Sequence, residues 1–216
     1  MKFAGAIFDQ DGLLFDTEII YGKCWKKAGE EFGIAVTDAY HASLCGRGRR
    51  EVIERARETF PGLDAEAFVE RALQLSAAMQ LSGVPEVKLG AREILRSCRE
   101  CGIGTAVASS STRSCVEHNL SVSGLIDYFD AVVTGEQVVK GKPAPDIFLL
   151  AAERLGLPPS ECVVFEDAPS GILAAKAAGC LPVMVPDRVR PDAAIRAICR
   201  VYPSLAVAQQ ALLPPA

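Results

Sequence analysis

The chain has 216 residues, of which 50% are hydrophobic and 23% are charged, and its formal net charge is −4. This balance is typical of a soluble globular protein and argues against disorder and against a nucleic-acid partner. No apolar run reaches the roughly 18 residues of a membrane span. The first run stops at Asp9, too early for a signal peptide, so we expect a cytoplasmic protein with no membrane partner.

Short apolar runs rich in Val, Ile or Phe predict five β-strands. In chain order they cover residues 4–8, 104–108, 131–133, 162–165 and 181–185. Between these runs lie segments with helical spacing, at 91–101, 114–122, 145–155 and 170–178. Strict alternation of strand and helix predicts an α/β protein with a Rossmann-like parallel sheet, covered by helices on both faces. In such a sheet the chemistry gathers at the carboxyl ends of the strands.

Residues 16–81 interrupt this alternation. They contain helical patterns at 18–32, 49–60 and 65–80 and no convincing strand. We therefore predict an inserted α-helical cap domain at 16–81 and a catalytic core formed by 1–15 and 82–216. The chain enters the predicted cap through 15–17 and leaves it through 82–85, and we expect both segments to act as hinges.

Two of the predicted strands end in paired acids, Asp9 with Asp11 and Glu166 with Asp167. If both strands are central, these carboxylates converge, and each close pair repels by about 4 kcal/mol at the effective dielectric of a protein surface. Either pair alone is explained by helix capping or by a solvated turn. Both pairs together predict a site for a hard divalent cation with oxygen ligands, for which Mg²⁺ is the natural candidate.

Hydroxyl-rich residues follow the second predicted strand, at 109–112, where a helix is expected to begin. Free backbone N–H groups and hydroxyls at a helix start form an anion site, and Ser109 and Ser110 could bind a phosphate there. Taken alone, the run is better explained by N-capping. Its position after a strand next to those that carry the acid pairs favours the phosphate site. Lys142 lies in another loop that follows a strand and could add a positive charge to this site.

A carboxylate, a metal, an anion site and a lysine together indicate phosphoryl transfer through an aspartyl-phosphate. Asp9 would attack the phosphorus atom. Asp11 would protonate the leaving oxygen and then deprotonate the water that clears the intermediate. Ser109 and Lys142 would stabilise the charge on the phosphoryl oxygens.

Three segments, at 8–18, 141–148 and 165–171, resemble the β-phosphoglucomutase-like group of the haloacid dehalogenase superfamily, whose members carry a helical cap. The likeness covers nearly the whole chain and implies the roles just given for Asp9 and Asp11, with the backbone carbonyl of Asp11 also on the metal. It also implies a phosphate clamp of Ser109 and Lys142. Of the remaining acids, it makes Asp167 a metal ligand and Glu166 a direct or water-mediated one. The Asp9 and Asp11 pair argues against dehalogenation, and family members of this size are often monomeric.

Substrate selection is expected to come from the cap. The basic, glycine-spaced loop at 44–51 contains Gly46 and Arg49, and Arg49 falls where the mutase-like members place an arginine that contacts the distal part of a phosphorylated sugar. A solvated basic turn explains this loop equally well. Tyr21 stands where the true mutase has a cap histidine, which favours hydrolysis over phosphoryl transfer between sugar positions.

Three functions are consistent with these residues. The leading hypothesis is a Mg²⁺-dependent phosphatase of small phosphorylated metabolites such as sugar or polyol phosphates. The rival enzyme is a β-phosphoglucomutase-type sugar phosphomutase, which shares every core residue. The third is a non-enzymatic regulatory domain that accepts a phosphoryl group on an aspartate, although such a domain needs neither a large helical insert nor Asp11.

Overall fold

A parallel β-sheet forms the centre of the computed structural model, which describes residues 3–45 and 47–213. Within these residues the sheet has six strands, which in chain order are β1 (Gly5–Phe8), β2 (Gly104–Ser109), β3 (Ala131–Thr134), β4 (Cys162–Glu166), β5 (Leu181–Met184) and β6 (Arg200–Val201). Their order across the sheet is β3-β2-β1-β4-β5-β6, and every neighbouring pair is parallel. The predicted α/β, Rossmann-like fold is confirmed. The first five strands match the predicted runs to within one residue at each end, whereas the two-residue β6 was not predicted.

The described residues also form ten α-helices. In chain order these are α1 (Glu18–Glu31), α2 (Asp38–Leu44), α3 (Arg49–Thr59), α4 (Ala65–Leu81), α5 (Ala91–Glu100), α6 (Arg113–Val122), α7 (Asp146–Leu155), α8 (Pro169–Ala177), α9 (Ala193–Ile198) and α10 (Leu205–Leu212). The predicted helices agree with the observed ones to within one residue at each end, but α2, α9 and α10 were not predicted. Among the helices described, none has the length and apolar character needed to cross a membrane.

Strand β1 lies in the middle of the sheet and is buried on both faces. Phe8 points to the face covered by α5, α6 and α10, where its ring stacks on that of Phe165 at 4.9 Å. Ile7 points to the opposite face, under α7 and α8. Burying a side chain of this size contributes about 1.5 to 3 kcal/mol to the stability of the fold. Because successive side chains of β1 are buried on opposite faces, packing holds the strand from both sides.

Helices α1 to α4 pack around an apolar cluster of their own. Trp25 of α1 meets Phe68 of α4 edge to face, with ring centroids 5.4 Å apart. The same cluster also contains Tyr40 and Leu44 of α2 and Val52 of α3. The boundaries of the predicted cap, at 15/16 and 81/82, stay a prediction.

The two segments that join these helices to the sheet lie side by side. The backbone N–H of Asp16 donates to the carbonyl of Glu86 at 2.9 Å, and that of Lys88 donates to the carbonyl of Leu14 at 2.9 Å. The chain therefore leaves and re-enters the sheet layer at adjacent points, a few residues beyond the end of β1.

Candidate active site

Carboxylates gather at the ends of β1 and β4. The register pairs Phe8 with Phe165, so Asp9 and Glu166 leave the sheet next to each other. Carboxylate oxygens of Asp9, Glu166 and Asp167 lie within 4.8 Å of one another. Asp9 is 6% exposed and Glu166 is 2% exposed. The structure thus brings three of the four predicted acids, the buried Asp9 and Glu166 and the partly exposed Asp167, into one group, which we call the acid cluster.

Lys142 places its ammonium group inside the acid cluster. Its Nζ lies 2.5 Å from Asp9 Oδ1 and 2.7 Å from Glu166 Oε1, and it donates to the carbonyl of Ala108 at 3.2 Å. The Phe148 ring packs against the same ammonium, 5.0 Å from the ring centroid. Because the ammonium group bonds to both strand ends, it holds the two carboxylates in fixed positions relative to each other.

Two glycines make room for the acid cluster. A Cβ atom on Gly171, in the first turn of α8, would lie 1.8 Å from Glu166 Oε1. A Cβ atom on Gly12 would lie 2.5 Å from Asp167 Oδ2, and Gly12 also has a φ of +80°, which side-chain-bearing residues rarely adopt. Glu166 is held further by the backbone N–H of Ala168, which donates to its Oε2 at 2.9 Å. These contacts leave the carboxylates little freedom to move.

The acid cluster carries more negative charge than Lys142 neutralises. Burial raises the pKa of Asp9 to about 7; Lys142 acts in the opposite direction, and Glu166 and Asp11 add to the rise. Burial, together with Glu166 and Asp9, also holds the pKa of Asp167 well above its usual range. Burial lowers the pKa of Lys142, but Asp9 and Glu166 outweigh it and keep the ammonium charged. An all-oxygen donor set with unbalanced negative charge fits a hard divalent cation.

Asp11 points away from the acid cluster, towards the start of α6. Its Oδ2 accepts hydrogen bonds from the Ser111 hydroxyl at 2.8 Å and from the Ser109 hydroxyl at 3.2 Å. Ser109 is fully buried, whereas Ser110 lines the cleft. The predicted residues Asp11, Ser109 and Ser110 are therefore adjacent, and Ser111 is a further contact that the sequence did not single out.

The helical insert supplies the other wall of the site. A cleft of about 500 Å³ runs between the acid cluster and helices α1 to α4. Tyr21 reaches across it, with its hydroxyl 3.5 Å from that of Ser111. Arg49, the first residue of α3, lines the cleft and pairs with Glu70 of α4 at 2.5 Å. The other predicted cap residue, Gly46, lies outside the described residues.

Comparison with known proteins assigns the family. A family model described as haloacid dehalogenase-like hydrolase matches residues 3–179. The chain belongs to the haloacid dehalogenase-like hydrolases. The resemblance inferred from the three sequence motifs is thereby confirmed.

Several relatives of this hydrolase are named as phosphatases. It is 36% identical over 185 residues to fructose-1-phosphate phosphatase YqaB of Escherichia coli K12, a match that covers 82% of this chain and 94% of the relative. It is 35% identical over 173 residues to a phosphorylated carbohydrates phosphatase of Thermotoga maritima, covering 80% of each chain. Among solved structures, CbbY from Rhodobacter sphaeroides in complex with phosphate superposes with a TM-score of 0.81 over 97% of this chain and all of its own. Its identity is 24%, so this likeness concerns the fold.

Proposed function

We propose that this hydrolase is a Mg²⁺-dependent phosphatase that cleaves small phosphorylated metabolites, sugar or polyol phosphates, through an aspartyl-phosphate on Asp9. One observation carries the proposal: the Asp9 carboxylate contacts the Lys142 ammonium at 2.5 Å and lies within 4.8 Å of the carboxylates of Glu166 and Asp167. The Asp11 carboxylate, two residues on, is held by two hydroxyls on the cleft side of β1. A nucleophile, a cation site and an acid thus border one cleft.

In the first half-reaction an oxygen of Asp9 attacks the phosphorus atom of the substrate, and the bond from phosphorus to the alcohol oxygen breaks. Asp11 donates its proton to that oxygen, so the alcohol leaves neutral. Lys142 offsets the negative charge that builds on the phosphoryl oxygens. Ser110, and Ser109 once its hydroxyl turns from Asp11 towards the cleft, would complete the phosphate contacts.

In the second half-reaction Asp11, now ionised, takes a proton from a water molecule. The resulting hydroxide attacks phosphorus, inorganic phosphate leaves and the Asp9 carboxylate is restored. The hydrogen bond from the Ser111 hydroxyl holds Asp11 in place for both proton transfers.

The acid cluster is the proposed Mg²⁺ site. When bound there by Asp9, Glu166, Asp167 and the backbone carbonyl of Asp11, the ion would neutralise the repulsion between the carboxylate and the approaching phosphate. The donor chemistry supports this assignment, since the cluster offers carboxylate oxygens only and its charge exceeds that of Lys142.

The substrate class is supported by the relatives, whose names include a fructose-1-phosphate phosphatase and a phosphorylated carbohydrates phosphatase. The cleft carries polar and charged groups from both walls, which suits a hydroxyl-rich organic part. We propose that Arg49 binds the distal part of the substrate, and that closure of the cap at 16–81 over the core excludes bulk water from the site.

Tyr21 supports hydrolysis over mutase activity. Burial keeps the pKa of its phenol above the ordinary value, so the group stays protonated at neutral pH and cannot exchange protons as a histidine would. A mutase also has to retain the phosphoryl group on Asp9 and return it to another sugar hydroxyl. The described residues place Tyr21 against Ser111, without a histidine in that position.

A screen of phosphate monoesters tests the proposal. We expect release of inorganic phosphate from sugar or polyol phosphates with Mg²⁺, a loss of at least about 100-fold in excess chelator, and recovery when Mg²⁺ is restored. Turnover that survives chelation would contradict the metal assignment. Conversion of β-glucose 1-phosphate into glucose 6-phosphate, instead of into free glucose and phosphate, would favour the mutase.

A further inference from the structure

A second group of metal-ligating side chains lies on the insert wall of the cleft. Glu18 is the first residue of α1, His41 lies in α2, and Cys45 directly follows α2. A carboxylate oxygen, an imidazole nitrogen and the thiol sulfur of these residues lie within 4.8 Å of one another. None of the three takes part in the hydrolysis proposed above. We call them the cap triad.

The distances within the cap triad are close to those of a tetrahedral metal site. Glu18 Oε2 lies 3.3 Å from Cys45 Sγ and 3.8 Å from His41 Nε2. Around a tetrahedral Zn²⁺, bond lengths of about 2.0 Å to oxygen and nitrogen and about 2.3 Å to sulfur separate those pairs by about 3.5 and 3.3 Å. These two pairs are therefore within about half an ångström of coordinating distances. The third pair, His41 nitrogen and Cys45 Sγ, lies within 4.8 Å and would close to about 3.5 Å around the ion.

The surroundings of the cap triad favour a cation. The side chains of His41 and Glu18 are 14% and 20% exposed, so they are shielded from bulk water but can be reached from the cleft. Glu18 supplies a carboxylate, and its Oε2 accepts a hydrogen bond from the Cys45 thiol, whose proton a bound cation would replace.

The ligand types also suit a metal that binds sulfur. An imidazole such as that of His41 binds a cation through the lone pair of its neutral form, and a thiol such as that of Cys45 binds as the thiolate. Metal binding would form the metal–sulfur bond and release the thiol proton to solvent.

We propose that Glu18, His41 and Cys45 form a binding site for a thiophilic divalent ion such as Zn²⁺, distinct from the acid cluster. Sulfur and imidazole ligands select Zn²⁺ over Mg²⁺, whereas the all-carboxylate acid cluster has the opposite preference. Three protein ligands leave a fourth position open to water. An ion at this point ties α1 to the end of α2 and narrows the cleft through which the substrate passes.

Binding of Co²⁺ to the full-length hydrolase in the presence of Mg²⁺ tests the site without recourse to activity. We expect a thiolate-to-cobalt charge-transfer band and the visible bands of four-coordinate cobalt, both of which Zn²⁺ abolishes by displacement. Cys45→Ser should remove the charge-transfer band and weaken Zn²⁺ binding at least about tenfold. Cys101→Ser, which alters an exposed thiol at the end of α5, is the matched control and should leave both unchanged.

Absence of the charge-transfer band, its persistence in Cys45→Ser, or its loss in Cys101→Ser would overturn the proposal. A second measurement uses the unsubstituted protein, so it does not depend on how the variants fold. Zn²⁺ should slow alkylation of Cys45 by iodoacetamide, followed by peptide mass spectrometry, while alkylation of Cys101 continues at its original rate. Equal rates at Cys45 with and without Zn²⁺ would refute the site even if the enzyme proved to be a phosphatase.

Discussion

The two walls of the cleft are built differently. On the sheet side Asp9, Glu166 and Lys142 are each less than 10% exposed at the side chain. Asp9 and Glu166 also lie at the ends of β1 and β4, which are buried on both faces. On the insert side Arg49 and Glu70 form an ion pair whose side chains are 59% and 47% exposed. In the function proposed above, the rigid wall carries the chemistry common to all phosphate esters, and the open wall carries the groups that select the substrate.

The buried ion pair of Lys142 with Asp9 and the exposed ion pair of Arg49 with Glu70 also differ in energy, because water reaches only the second. Removing one partner of a buried pair leaves an uncompensated charge, which costs about 3 to 5 kcal/mol. An exposed pair such as that of Arg49 with Glu70 contributes about 0 to 1 kcal/mol because water solvates both ions. Substitutions on the sheet side should therefore reduce turnover, and substitutions on the insert side should change substrate preference.

The largest effect is expected for Asp9→Asn. The amide is a poor nucleophile, so kcat for phosphate release should fall at least about 1,000-fold. Circular dichroism should show an unchanged fold, since Lys142 keeps its ion pair with Glu166 when the Asp9 charge is removed. Asp127→Asn, at an exposed acid away from the cleft, is the control. Retention of more than a tenth of the activity in Asp9→Asn would show that another group attacks phosphorus.

Gly171→Ala tests how rigid the sheet-side wall is. The added methyl group would overlap Glu166 Oε1, so the carboxylate has to leave Lys142 and the backbone N–H of Ala168. Loss of this support should cost about 10- to 100-fold in activity or in Mg²⁺ affinity. The measurement is kcat as a function of Mg²⁺ concentration.

The matched control is Gly22→Ala in α1, where the new Cβ would meet His41 at an ordinary 3.5 Å. It should retain kcat and its Mg²⁺ dependence. Identical Mg²⁺ curves for Gly171→Ala and the unsubstituted enzyme would mean that Glu166 does not need its observed position.

The smallest effect is expected for Arg49→Ala. The substitution should raise KM for a sugar phosphate about tenfold and change kcat by no more than about twofold, the pattern of a lost binding contact. Arg50→Ala removes a neighbouring arginine that is 90% exposed and pairs with Glu54, and its KM should stay unchanged. Equal kinetics for the two variants would argue against a substrate contact at Arg49.

The sequence predicted those parts of the molecule that depend on local pattern. Asp9 and Glu166 were identified because each closes an apolar run, and parallel strands bring such ends to one edge of the sheet. The two-residue β6 was missed because only its pairing with β5 makes it a strand. Helix α2 has seven residues, too few for its periodicity to stand out.

The sequence also could not predict the direction in which particular side chains point. The run Ser109 to Ser111 predicted an anion site, but which hydroxyls face Asp11 depends on where β2 ends and how the chain turns into α6. The structure selects Ser109 and Ser111 for that contact and leaves Ser110 at the cleft. Likewise, Glu18 and Cys45 are distant in sequence and meet only because α1 and α2 pack together.

The paired connecting segments have a consequence for how such enzymes diversify. Because the backbone of Asp16 is hydrogen-bonded to that of Glu86, the chain enters and leaves the intervening stretch at adjacent points. That stretch has a second contact with the sheet side through α4, where Gln80 Oε1 accepts a hydrogen bond from Asn119 of α6 at 3.0 Å. A replacement of different length or helix number has to match those two ends and cover the exposed face of α6, and strand β1, which leads to Asp9, need not move. Recombination at these two ends would replace the residues proposed to select the substrate and would keep the residues proposed for the phosphate chemistry.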